Sequence, residues 1–134
     1  MKNLVPIALM AIFSFGLYSF HTAFQDEWVV PAEYKNKKNP TDAADKESMA
    51  IGKSLYSKHC KSCHGAEGYG DGTKAADLKG DLGDFSSAEF HTQTDGALFY
   101  KTTVGRNDMP EFAKKIPEDE DRWLVVNYMR TLRE

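Results

Sequence analysis

The chain has 134 residues, 41% hydrophobic and 28% charged, the size and balance of one ordinary globular domain. A formal charge of -3 excludes the basic excess that nucleic-acid binding requires, and no nucleic-acid-reading motif is present. The two cysteines, Cys60 and Cys63, stand too close together for a disulfide to constrain much chain, so their role is chemical rather than that of a staple.

Leu4 to Phe20 is an uncharged apolar run, with Lys2 before it and Asp26 and Glu27 after it. As a helix it would span roughly 25 Å, or roughly 31 Å if continued to Phe24, against a hydrocarbon core of ~30 Å. Residues 1–24 therefore read as a signal peptide or an uncleaved membrane anchor. Leu17 and His21 precede the two candidate cleavage points poorly, so both outcomes stay open, while a lipoprotein is excluded because no cysteine lies nearby. The flanking charges place everything after the run on the extracytoplasmic, periplasmic side. Residues 25–45, with Pro31, Pro40 and the cluster Lys35, Lys37 and Lys38, read as a tether. Trp28 in it suits either a membrane interface or packing on its own domain.

Residues 46–134 form the domain, small enough to gain from a bulky apolar insert such as a prosthetic group. A first helix is expected from Lys46 to His59, capped by Asp45. A short one is expected from Asp95 to about Thr103, stopped by Gly105. The last opens at Pro117 with a run of acids that suits the helix dipole and continues to Leu132. The stretch from Gly65 to Gly83 is glycine-rich and polar, loops that need something to wrap around. With no convincing strand, the fold class is small all-α.

Cys60, Lys61, Ser62, Cys63 and His64 make a C-x-x-C-H pentapeptide, which shuffling of the composition would produce only roughly four times in ten thousand. On a helical turn both thiols share a face and can bond the two vinyl groups of one haem, while His64 turns its imidazole under the iron. A redox dithiol lacks its βαβ context here, and a structural zinc lacks a second C-x-x-C. A thioether is a standard partner of a haem histidine. Of the five methionines, Met1 and Met10 lie in the targeting segment and Met49 and Met129 in amphipathic helices, leaving Met109 in a loop stiffened by Pro110. His59 and His91 are the rival ligands.

The sequence resembles the class I monohaem cytochrome c family over roughly residues 46–133. The resemblance rests on Gly52 and Tyr56 ahead of the motif, Cys60 to Gly65 as C-x-x-C-H-G, the turn Gly68 to Gly72, the ligand loop Gly105 to Pro110, and Tyr128 in the last helix. It implies a domain of three to five helices around one covalently bound haem c, preceded by the N-terminal hydrophobic helix, with Gly52 packed under an aromatic of the last helix. Cys60 and Cys63 would form the thioethers, and His64 and Met109 would be the axial ligands. One departure concerns the proline whose carbonyl usually receives the proximal imidazole N–H: residues 73–84 contain none, and a backbone carbonyl between Ala75 and Gly80 is the expected substitute.

With both axial positions filled the iron has no site for oxygen or substrate, so the expected function is one-electron transfer, not enzymatic turnover. The resemblance implies a quinol-oxidising complex or dehydrogenase as donor and a terminal oxidase or reductase as acceptor. Lys53, Lys58, Lys61, Lys74 and Lys79 are candidates to ring the exposed haem edge, though solvated lysines are the simpler account. The acids Glu111 and Glu118 to Asp121 oppose them in sequence. The alternatives are a cytochrome subunit of a larger membrane redox complex and a haem sensor or enzyme with an open sixth position.

Overall fold

A computed structural model describes residues 27–133. The apolar run assigned to residues 1–24 lies outside the described residues. Among the latter, six α-helices follow one another: α1 (Ala32–Lys35), α2 (Lys46–His59), α3 (Lys61–His64), α4 (Ala88–Thr92), α5 (Asp95–Val104) and α6 (Asp119–Met129), with a 3-10 turn at Ala75–Asp77. No strand forms among the described residues, and none of their helices is long and apolar enough to cross a membrane. Five of the six α-helices fall in the expected domain, so the small all-α class is observed.

α2 begins where its cap dictates, with the Asp45 carboxylate accepting the Ser48 N–H at 2.9 Å. α5 is capped by the Thr94 hydroxyl at one end and Gly105 at the other. α6 is shorter than the span from Pro117 to Leu132. At its start Arg122, buried to 4% exposure, turns its guanidinium back onto the carbonyls of Ile116 and Pro117. At its end Thr131 and Leu132 donate three residues back, tightening the last turn out of α geometry.

α6 is the central helix. Residues 122 to 127 are all buried, because α2 covers one side, α5 another and the chain at Asn39 and Thr41 a third. Val125 and Val126, both fully buried, each contribute about 1.5–3 kcal/mol by leaving water. The α2–α6 crossing is the most extensive in the fold and depends on Gly52, where a Cβ would lie 2.8 Å from the Leu124 carbonyl carbon. Tyr128 sits beside this crossing, its ring 5.2 Å from that of Tyr56.

The stretch 25–45, expected as a tether, is held against the domain at several of its described residues. Val30 is buried, the Tyr34 ring lies 4.8 Å from that of Tyr100, and a Cβ at Gly96 would strike the Tyr34 and Lys37 carbonyls. Asn39 donates to the buried Asn127 amide at 2.7 Å. Prolines and lysines resemble a linker by composition. The packing comes from scattered residues, among them Trp28, Val30, Tyr34, Lys37, Asn39 and Thr41, too sparse to form a periodic pattern.

Candidate haem site

Where α2 ends, Cys60 turns the chain directly into the single turn of α3. The Cys60 carbonyl accepts from both Cys63 N–H at 3.1 Å and His64 N–H at 2.9 Å. That turn brings both thiols and the imidazole to the wall of one pocket. Both thiols are free, Cys60 buried and Cys63 half-buried. Burial, with Cys63 adding to it, pushes the Cys60 thiol up to about 12, so the unreacted group is protonated and weakly nucleophilic at neutral pH.

Gly65, at φ 84°, lets the chain leave the turn, and the following loop folds back on it. Gly70 N–H donates to the His64 carbonyl, Gly72 N–H to that of Cys63 and Lys74 N–H to that of Ser62, at 2.8–3.1 Å. A Cβ at Gly72 would stand 2.6 Å from the Cys63 carbonyl carbon, so only glycine permits this close approach. The buried Tyr56 hydroxyl donates to the Gly65 carbonyl at 2.9 Å, joining α2 to the end of the motif.

On the facing side, Gly105 ends α5 at φ 64° and Asn107 also takes positive φ, turning the chain sharply. Arg106 and Met109 exchange two backbone hydrogen bonds of 2.9 Å, which fix Met109 on a tight turn. The Asp108 carboxylate accepts the Lys79 N–H at 3.0 Å and ties this turn to the loop after the motif.

Between these walls lies a cleft of about 370 Å³ that continues into an apolar pocket of about 40 Å³ holding the two cysteines. His64 and Met109 line both, as do Phe85, Thr102 and Met129. Phe85 stacks on the His64 ring at 4.5 Å and is backed by Phe90 at 4.7 Å. Burial holds the imidazole below its ordinary pKa, opposed by the Leu82 backbone. No carbonyl between Ala75 and Gly80 receives the His64 ring, whose Nδ1 makes no hydrogen bond.

Of the rival ligands, His91 does not line the cleft: Arg133 donates to its Nδ1 at 3.3 Å, and its Nε2 lies 3.3 Å from the Leu132 carbonyl. His59 is half-buried at the rim of the smaller pocket, edge-on to Phe112 at 6.1 Å. Of the five lysines proposed to ring the edge, only Lys79 borders the cleft. Phe85, Thr102, Lys101 and Arg106 escape sequence reasoning because each belongs to a different local pattern and meets the others only in the folded chain. The one signal for Phe85 was an aromatic directly after a glycine- and aspartate-rich loop.

These residues fit a covalently held haem. His64 Nδ1 is the one buried side-chain polar atom among the described residues that makes no hydrogen bond, and it belongs to the ring facing the cleft. The thiols are paired and free, and the cleft falls within the ~300–1,000 Å³ usual for cofactor sites.

Fold and site together define a c-type cytochrome of the monohaem class I kind, whose cofactor is a covalently bound c-type haem. The chain belongs to the family described as cytochrome c oxidase, cbb3-type, subunit III, which matches residues 47–129. Among solved structures it is similar to a chain of the Kuenenia stuttgartiensis reducing HAO-like protein complex Kustc0457/Kustc0458, with 27% identity, a TM-score of 0.56 and 76% of this chain covered. It spans 53% of that longer chain. It is also similar to the KustC0563 c-type cytochrome, at 26% identity and a TM-score of 0.54, over 62% of this chain and 98% of that one. No curated protein matches it.

Proposed function

We propose that this protein is a one-electron carrier whose haem iron is ligated by His64 and Met109, working outside the cytoplasm in a respiratory chain. The observation that supports the ligation is that both side chains line the same cleft, whose narrow end holds Cys60 and Cys63. When bound, the haem supplies an iron that changes oxidation state by one electron. Cys60 and Cys63 hold it in both states. Phe85, stacked on His64, fixes the imidazole plane. Leu78, Phe112 and Met129 wall the narrow end with apolar surface that keeps water from the iron and limits reorganisation. Cys63, half-buried, marks the edge from which an electron leaves.

The donor we propose is a quinol-oxidising complex or dehydrogenase and the acceptor a terminal oxidase or reductase, with residues 1–24 as signal or anchor. A second reading, as a cytochrome subunit of a larger membrane redox complex, is favoured by the family's description as an oxidase subunit. A pull-down of the full chain separates the two, because a stoichiometric, salt-resistant partner overturns the free carrier.

The test of the site is the visible spectrum of the haem-loaded protein in both oxidation states. A weak long-wavelength band from sulfur on ferric iron, with no response to carbon monoxide, is expected. A high-spin iron that binds carbon monoxide would refute Met109 ligation and an electron-only role.

A further inference from the structure

Two stretches far apart in sequence wall the cleft. One runs from Lys79 to Asp84, after the motif, where no helix or strand forms and where Leu82 and Gly83 line the cleft beside His64. The other is the turn from Gly105 to Pro110, which carries Met109.

Each stretch is fixed within its own wall. Leu78 N–H donates to the Ala75 carbonyl at 3.2 Å and Phe85 N–H to that of Gly68 at 2.8 Å, which pins the first on either side. The Arg106–Met109 pair sets the shape of the second, and Phe112 N–H, donating to the Thr102 carbonyl at 3.2 Å, returns the chain to α5. These bonds give each wall its shape. The distance between the walls is left to contacts across the cleft.

Asp108 makes such a contact from the position directly before Met109. Its Oδ2 accepts the Lys79 N–H at 3.0 Å, a bond that joins residues 29 apart in the chain. A carboxylate accepting a backbone N–H forms a charge-assisted hydrogen bond, roughly twice as strong as a neutral one. Glu111, the first acid on the other side of Met109, pairs instead with Lys114, inside its own wall.

We propose that Asp108 is a clasp that holds the Met109 turn against the Lys79 side of the cleft and so keeps the methionine sulfur on the iron. The proposal rests on the reading of Met109 as the distal ligand. A thioether is neutral and brings no charge to hold it to the metal, so the placement of its turn decides how often the sulfur leaves and an outside ligand enters. Asp108 is then a positioning residue, acting on the iron only through the turn it anchors.

The test uses the full haem-loaded chain and reads the rate at which added imidazole displaces the sulfur from ferric iron, followed as loss of the long-wavelength band. Asp108→Ala is expected to raise that rate about tenfold. Asp108→Asn keeps an accepting oxygen in the same place and is expected to stay within about twofold of the wild type. Glu111→Ala removes an equal charge two residues past Met109 and is expected to leave the rate unchanged, which separates the clasp from the field of a nearby carboxylate. Hydrogen exchange at the Lys79 amide is the second readout, expected to be fast in Asp108→Ala and slow in Asp108→Asn and the wild type. Asp108 is exposed, so all three variants are expected to fold and to melt close to the wild type. An unchanged imidazole rate in Asp108→Ala, an equal rise in Glu111→Ala, or slow Lys79 exchange in Asp108→Ala would overturn the clasp. Absence of the sulfur band from the wild type would sink the axial reading, whereas its presence with an unmoved imidazole rate would sink only this one.

Discussion

Gly52 and Leu124 meet backbone to backbone: a Cβ at position 52 would overlap the Leu124 carbonyl oxygen and lie 2.8 Å from its carbon. The close approach of α2 and α6 depends on that missing atom, and it places the start of the C-x-x-C-H turn against the central helix. Tyr56, one helical turn on, is then buried and within reach of the Gly65 carbonyl.

Gly52→Ala gains about 1 kcal/mol of helix propensity but forces a methyl into a backbone group that no rotamer change can move. The expected net loss is ~2 kcal/mol, read as a lower denaturant midpoint of the haem-loaded protein. Equal or higher stability would mean that the helices part at little cost.

Tyr56→Phe removes one hydroxyl and leaves the Gly65 carbonyl without its 2.9 Å partner in a buried place. A loss of about 1–3 kcal/mol is expected, with the visible spectrum retained because the ring stays in the core. Burial holds the Tyr56 hydroxyl far above the ordinary tyrosine pKa, so this hydrogen bond should not change across the neutral range. A spectrum that changes along with stability would show that the hydroxyl also sets the His64 geometry.

Met109→Ala is expected to keep covalent haem, abolish the long-wavelength sulfur band and admit carbon monoxide to the iron. Carbon monoxide titration followed at the Soret maximum checks it. Continued closure would move the ligand elsewhere, with Met129 the next methionine on the cleft wall.

Replacing Cys60 and Cys63 by alanine together is expected to abolish covalent haem and to leave the chain largely unfolded, because a core of this size loses its central insert. Circular dichroism of the purified double variant reports it. A cooperative melt without haem would show that the helices hold together on their own packing.

The Asp45 carboxylate caps α2, and its hydrogen bonds with Ser48 hold its pKa below the ordinary value of 3.8. A depressed folded pKa contributes stability that is present above the unfolded value and is lost as pH falls through the folded one. Asp45→Asn keeps a capping oxygen without the titration, so melting temperatures near pH 7 should match the wild type while the decline below about pH 4 becomes shallower. Parallel acid limbs would show that the cap opens before it protonates.

The sequence by itself determined the features that depend on neighbours along the chain. Asp45 starts α2, Gly105 stops α5, and the spacing of Cys60, Cys63 and His64 is one helical turn, each set within four or five residues. The all-α class and the haem follow from these local signals. Tertiary structure alone decided which distant residues share the cleft. Phe85 stacks on His64, Thr102 and Met129 complete the walls, and Trp28 reaches Arg106 from the far end of the chain. The segment around Val30 and Tyr34 reads as a linker from its prolines and lysines, and it becomes part of the domain because Gly96 leaves room for the Tyr34 carbonyl to approach α5. Contacts of this kind depend on close packing between surfaces far apart in the chain, and no periodic pattern along the sequence encodes them.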